Sequence, residues 1–294
     1  MVVAAFASAK VNLYLHVTGR RDDGYHLLDS LVAFVDIGDR LRVEPAASLS
    51  LVVDGPEAGD LVSVGDDNLV LRAARLLADR AGITAGAALH LDKHLPVAAG
   101  IGGGSSDAAA ALLALKRLWR ISLEDEALYA LAARLGSDIP ACLYGRAVWV
   151  GGIGERLESA GPLPDAGILL VNPRRALPTA AVFAARRGPF SRVGRFAPMP
   201  SKGSALADAL MRCRNDLTEA AIGLVPEIAA VLARLGRLPG SLLARMSGSG
   251  ATCFALFANR AGAEEARALV AAAEPRWWCA AGGFVSGASL ADQG

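Results

Sequence analysis

Lysine is scarce in this chain. It occurs four times, at positions 10, 93, 116 and 202, against 26 arginines in 294 residues. Where arginine is the default cation, a lysine suits a place that needs a compact point charge rather than a planar fork. Cysteine is equally sparse: Cys142, Cys213, Cys253 and Cys279 lie far apart. That spacing excludes a zinc site and a disulfide framework and predicts reduced thiols in a cytoplasmic protein. No apolar run reaches the ~18 residues of a membrane span, the longest candidate, Ala108 to Leu115, stopping at Lys116. Thirty basic residues offset 29 acidic ones, for a net charge of +1. Such balance leaves no electrostatic footprint for nucleic acid or an anionic membrane. No block of five like charges suggests an interaction tail, and no basic segment precedes the apolar Met1–Ala9 as in a secretory signal.

What is present is apolar material for large cores, 53% of residues, in a length that fits two domains. Residues 8–17 alternate as a strand does, with Lys10, Asn12, Tyr14 and His16 on one face. Further strands are expected at 31–35, 40–44, 49–53, 88–95, 147–150, 167–171, 242–246 and 251–257. Helices are expected at 68–80, 108–118, 123–135, 205–217, 226–235 and 261–273. Arg20–Tyr25 reads as a polar turn and the segment 186–204, rich in Arg, Pro and Gly, as a surface loop. The elements mix without strict alternation, which favours an α+β fold.

Four segments carry chemistry. Pro96-Val-Ala-Ala-Gly-Ile-Gly-Gly-Gly-Ser-Ser-Asp107 runs from a strand into an apolar helix. Glycines let a backbone approach phosphate closely, and a helix start offers unpaired N–H groups and a positive dipole end. Ser105 or Ser106 could cap that helix or bind a phosphate oxygen. The string lacks the Gly-Lys-Ser/Thr of a Walker loop and the spacing of the dinucleotide fingerprint. Lys10 lies on the first strand two residues before Asn12. Gly136-Ser-Asp-Ile-Pro140 puts Asp138 after an apolar helix, at what would be the unfavourable end of its dipole, and calls for a partner cation. Ser247-Gly-Ser-Gly250 reads as a hairpin turn. His90, Asp92 and His94 alternate on one strand, and we read them as a solvated face with no metal site.

Taken in order, these segments resemble the GHMP kinase superfamily of galactose, homoserine, mevalonate and phosphomevalonate kinases. Within it the chain is most similar to the diphosphocytidyl-methylerythritol kinases of the non-mevalonate isoprenoid pathway. The strings that carry this are Ala9-Lys-Val-Asn-Leu13, Arg21-Asp-Asp-Gly-Tyr-His26, Leu95 through Asp107, and Gly136 through Pro140. The resemblance runs from about residue 6 to about residue 257 and fades after Trp278, where 282–294 looks unlike the usual strand.

The resemblance implies an N-terminal domain, 1–155, with the Lys10 strand and the phosphate loop, a C-terminal domain, 156–294, and an active site in the cleft between them. It implies an ATP-dependent kinase acting on the 2-hydroxyl of a cytidine diphosphate-linked alcohol. Asp138 and Lys10 would be catalytic. Pro96, Val97, Ala98, Ala99, Gly100, Ile101, Gly102, Gly103, Gly104, Ser105 and Ser106 would wrap the ATP phosphates, with Asn68 near the adenine. Tyr25, His26 and Phe183 would hold the cytosine, Lys93 the cytidine end, and Asn12 would join the substrate site. Mg2+ is expected with ATP, without a dedicated protein site. The expected partners are the small-molecule substrate and ATP, with no nucleic acid and no membrane, in a monomer or weak homodimer. Two alternatives remain: a kinase for a homoserine- or mevalonate-type alcohol, and a catalytically silent nucleotide-binding sensor.

Overall fold

The structure, a computed structural model, describes residues 1–59 and 67–285. It opens with a long hairpin. β1 (Val3–Arg20) and β2 (His26–Ala46) pair antiparallel from end to end around the polar turn. β2 is one strand where the sequence suggested two. Its register with β1 slips once near Asp36 and Ile37, since Ala9 faces Val35 while Ser8 faces Gly38.

A second slip reorganises the functional strand. Asn12 faces Val32 and Tyr14 faces Leu31, so Leu13 is an extra residue. One extra residue reverses every later side chain to the opposite face. Lys10 and Asn12 therefore line the cleft described below, joined there by Leu15. Tyr14 turns away to pack near Trp149, ring centroids 6.2 Å apart. The expected shared face of Lys10, Asn12, Tyr14 and His16 holds only for the first two.

The first half continues with β3 (Ser50–Asp54), α1 (Leu69–Ala81), β4 (Gly86–Asp92), α2 (Gly103–Leu118), α3 (Asp125–Leu135), α4 (Ile139–Tyr144), β5 (Val148–Gly152) and β6 (Arg156–Ser159). Its sheet runs β3-β4-β2-β5-β6, with β1 also on β2, and only β3–β4 is parallel. α1 starts on Asn68, whose side-chain oxygen accepts the Val70 N–H at 2.9 Å, and ends on Gly82 at φ 64°. α2 is buried around nearly its whole circumference from Ser106 to Leu112, which is why that stretch is alanine and leucine.

The second half holds β7 (Gly167–Asn172), α5 (Thr179–Ala185), α6 (Gly203–Met211), α7 (Thr218–Leu224), α8 (Glu227–Gly236), β8 (Leu243–Met246), β9 (Cys253–Phe257), α9 (Arg260–Ala273) and β10 (Trp278–Gly283). Its antiparallel sheet runs β10-β7-β9-β8. The helix expected at 205–217 stops at Met211, and Asn215 turns the chain by accepting the Leu217 N–H at 2.9 Å. β10 supplies a strand where the resemblance fades, and most of the tail, 286–294, lies outside the described residues. Residues 160–166 link β6, the last strand of the first sheet, to β7 of the second. The mixture is α+β, as the sequence indicated.

Three apolar cores result. One fills the first half, under α1, α2, α3 and α4, and one fills the second, under α7, α8 and α9. The third lies between the halves: Val11, Leu13 and Tyr14 of β1 pack with Ile168 and Leu170 of β7 and Phe254 and Leu256 of β9. No described helix is long and apolar enough to cross a membrane.

Candidate active site

A cleft of about 910 Å³ runs between the halves. Near its middle Lys10 Nζ meets Asp138 Oδ2 at 2.9 Å. The lysine side chain is 8% exposed and the carboxylate 48%, so the cation is sunk in the wall while the acid faces the open space. Asp138 is the residue that precedes α4, so it lies at the start of a helix. The expected unfavourable dipole placement is thus corrected: Gly136 ends α3 and the chain restarts as α4 two residues later. The partner cation demanded by the sequence is present as Lys10.

The glycine loop wraps this pair. The Lys10 N–H donates to the Ile101 carbonyl at 2.9 Å, and a Cβ at Gly102 would come within 3.1 Å of the Lys10 side chain. Gly102, at φ 66°, opens α2, five residues earlier than the apolar run suggested. The first intrahelical bond there is Ser106 N–H to Gly102 O, 2.8 Å, so the N–H groups of Gly103, Gly104 and Ser105 precede the helical ladder. Ala98, Ala99, Gly100, Gly102, Gly103, Gly104 and Ser105 all line the cleft. Ile101 does not: its side chain is fully buried and anchors the loop in the central core. Ser106 is buried as well. Its hydroxyl donates to the Ser8 carbonyl at 2.7 Å and so is turned away from the expected phosphate or capping role.

The Ser247–Gly250 turn braces the loop from the second half. Ser247 Oγ accepts the Asn12 N–H at 3.1 Å and donates to the Gly100 carbonyl at 3.2 Å, and Thr252 N–H donates to Ala99 O at 3.1 Å. Asn215 holds the turn in place by donating to the carbonyls of Met246 and Gly248, both at 2.8 Å. Asn12 itself donates to Ser30 Oγ at 2.8 Å, and its buried Oδ1 has no partner.

At the far end of the cleft stand Tyr25, His26 and Phe183. His26 stacks on Phe183, centroids 5.2 Å apart and planes 28° apart, while Tyr25 is 62% exposed at the rim. Burial, with help from the nearby cations of Arg20 and Arg186, lowers the His26 pKa, so the imidazole is neutral near pH 7 and keeps one acceptor nitrogen.

The GHMP kinases N terminal domain family matches residues 68–146, and the GHMP kinases C terminal family matches 202–275. A 4-diphosphocytidyl-2-C-methyl-D-erythritol kinase of Rhodospirillum rubrum is 55% identical over 275 residues, covering 94% of this chain and 90% of the relative. One of Cereibacter sphaeroides is 54% identical over 286 residues, covering 94% and 97%. The chain belongs to the 4-diphosphocytidyl-2-C-methyl-D-erythritol kinase family of GHMP kinases. A crystal structure of 4-(cytidine 5'-diphospho)-2C-methyl-D-erythritol kinase superposes with a TM-score of 0.79 at 37% identity, covering 97% of this chain and all of that one. A homoserine kinase of Cytophaga hutchinsonii shares the fold at a TM-score of 0.72 and 18% identity, covering 96% and 94%.

In this kinase Lys93 does not line the main cleft with Tyr25, His26 and Phe183. It lies 2% exposed beneath a second, smaller pocket of about 210 Å³ on the other side of the loop. Its ammonium pairs with Asp107, at 2.8 Å, and with Asp39, whose other oxygen accepts the N–H groups of His94 and Leu95. An ammonium held by two buried carboxylates has no reach to a ligand in the main cleft, which corrects the expected role. Asn68, Pro96, Val97, Ala98, Gly103 and Gly104 line the same small pocket, so the expected adenine residue and part of the phosphate loop do adjoin. The sequence carried no separate signal for Thr179, which starts α5 four residues before Phe183. Its hydroxyl meets Ser249 Oγ at 2.8 Å and lines the cleft opposite Lys10 and Asn12. His90 pairs with Asp54 and His94 with Asp92, and no group of three His, Cys, Asp or Glu among the described residues could hold a metal ion. Ser105, Ser137, Asp138, Thr179 and Ser249 are oxygen donors that line the cleft, and a magnesium ion carried on ATP would meet Ser105 and Asp138 beside the loop.

Proposed function

We propose that the chain transfers the γ-phosphoryl group of ATP to the 2-hydroxyl of 4-diphosphocytidyl-2-C-methyl-D-erythritol, giving ADP and the 2-phosphate, in non-mevalonate isoprenoid precursor biosynthesis. The observation that carries this reading is one cleft holding the Lys10–Asp138 pair, the glycine loop and the Tyr25–His26–Phe183 cluster. Relatives about half identical over nearly the whole chain support the same acceptor.

The triphosphate lies along the backbone N–H groups at the start of α2, where the helix dipole favours anions. The acceptor hydroxyl sits against Asp138. Its oxygen forms a bond to the γ-phosphorus as the bond to the β,γ-bridging oxygen breaks, and its proton passes to the carboxylate. Lys10 stabilises the negative charge that develops between hydroxyl and phosphoryl group. Asn12 and Thr179 orient the alcohol. Tyr25 and Phe183 flank the cytosine, and a base stacked on an aromatic ring gains about 1–3 kcal/mol. The neutral His26 bonds the pyrimidine edge.

The test is ADP release with ATP and magnesium, offering this acceptor, homoserine and mevalonate in parallel. Turnover with the cytidine compound alone is expected. Turnover with another alcohol would retain the transfer site and remove the base cluster from it. Asp138→Asn is expected to lose about 10²–10⁴-fold in kcat, or about 3–5.5 kcal/mol, with ATP still bound; loss of ATP binding would place the residue outside the acceptor site.

A further inference from the structure

Residues 186–202 contain no helix or strand, yet they are tied to the first half at one step after another. Ser191 N–H donates to the Val17 carbonyl at 2.9 Å, and its hydroxyl to Asp216 at 2.9 Å. His16 Nε2 accepts the Arg214 N–H at 3.1 Å, which leaves the ring proton on Nδ1, 2.8 Å from the Arg192 carbonyl it bonds. Phe196 sets its ring edge-on to Trp149 at 5.3 Å. The hub is Asp29 on β2, 4% exposed. One oxygen accepts Tyr14 Oη–H at 2.6 Å and Gly194 N–H at 2.8 Å, and the other accepts Arg195 Nε–H at 3.1 Å. Arg195 also reaches Glu158 at 2.7 Å.

This strap begins where α5 ends. Phe183 therefore sits on the helix that leads directly into the strap of Gly194 and Arg195, and His26 sits on the same strand as Asp29. The stack of Phe183 on His26 joins the two segments at one point, and Asp29 joins them at another. We infer that Asp29 is a positioning residue for the acceptor: by anchoring the 186–202 strap it fixes Phe183 against His26, and so sets affinity for the base-bearing end while touching no substrate. The inference rests on the acceptor reading proposed above. A buried carboxylate is suited to this because it gathers donors from strand, strap backbone and strap side chain. Losing the charge weakens every one of those bonds together.

The test uses the full chain with Asp29→Asn, which keeps the side chain's shape. Steady-state kinetics give KM for 4-diphosphocytidyl-2-C-methyl-D-erythritol, KM for ATP, and kcat, and calorimetry gives the Kd for CDP as a base-bearing fragment. About a tenfold rise is expected in the acceptor KM and in the CDP Kd, the size of a lost charge-assisted hydrogen bond. The KM for ATP and kcat at saturating acceptor should stay within about twofold, on the same principle that only base-end contacts are lost. Equal losses in kcat and both KM values would mean a merely structural role and overturn the inference. Phe183→Ala separates the two claims. If it leaves the acceptor KM unchanged, the base-site reading fails; if it raises KM while Asp29→Asn does not, the positioning claim alone fails. Should Asp29→Asn not fold, Arg195→Met removes two strap bonds, to Asp29 and to Glu158, from a partly exposed side chain. A selective rise in acceptor KM is then expected, and its absence overturns the claim.

Discussion

Asp107 and Lys93 show how a single residue can mislead and still matter. Asp107 closes a string that carries the resemblance, Lys93 is a residue to which the resemblance gives a role, and neither lines the main cleft. Two carboxylates around one buried ammonium leave one negative charge in excess. Burial pushes the Asp107 carboxyl up to about 7 against the pull of Lys93, and Asp39 adds to the push. For Lys93, burial works against the charge, but the two carboxylates outweigh it and the net direction is upward. An acid whose folded pKa lies above its unfolded value contributes stability below the unfolded value. That contribution is lost as pH rises through the folded one. Asp107→Asn carries no such dependence. Its melting temperature relative to the wild type should therefore climb between about pH 5 and about pH 8, read by thermal denaturation across that range. A constant difference would mean that Asp107 does not titrate there. The residues themselves were legible as charged; the burial of Lys93 was not, because strand alternation says which side a residue takes and not what lies across from it.

Among elements, the glycine loop and the Ser247–Gly250 turn behave as one part. Gly100 takes φ 73°, and a Cβ there would fall 2.8 Å from Gly250 N and closer still to its carbonyl oxygen. Gly100→Ala must part the two turns or strain the backbone. The expected cost is about 2 kcal/mol of stability, together with a raised KM for ATP. Both are measured on one preparation, by melting temperature and kinetics. An unchanged ATP KM would show that the loop does not depend on the turn. The composition of both segments was readable from the chain, the first as a phosphate loop and the second as a hairpin turn. The family resemblance puts the turn beside the loop, as the Ser247 Oγ bond to the Gly100 carbonyl bears out, but no local pattern encodes that contact, since the two are far apart in sequence. The same holds for α4 and α5, which are too short for an apolar period to stand out. It holds also for the Leu13 bulge, which shifts a register without altering the alternation that predicts the strand.

At the scale of the whole molecule, the two halves are joined too thoroughly to act as separate bodies. Arg245 of β8 lies buried and donates to the carbonyls of Leu13, Leu210 and Cys213 at 2.8, 2.9 and 2.7 Å. At the opposite seam Asp36 accepts the Gly283 N–H at 2.8 Å and pairs with Arg260. Val285 N–H bonds the Phe34 carbonyl at 2.9 Å. With a third core shared by both sheets, scanning calorimetry is expected to show one unfolding transition whose calorimetric and van't Hoff enthalpies agree. Two resolved transitions would make the halves independent. The sequence carried no signal for this seam, whose members are ordinary core residues of β1, β7 and β9.

The shared core has a consequence for how the protein is made. Val11, Leu13 and Tyr14 leave the ribosome early, whereas Ile168, Leu170, Phe254 and Leu256, which cover them, follow long afterwards. A growing chain thus carries a partly covered apolar strand until β7 and β9 have emerged, and the wall that bears Lys10 reaches its final packing only then. A chain broken off before β9 therefore holds no finished site for transfer.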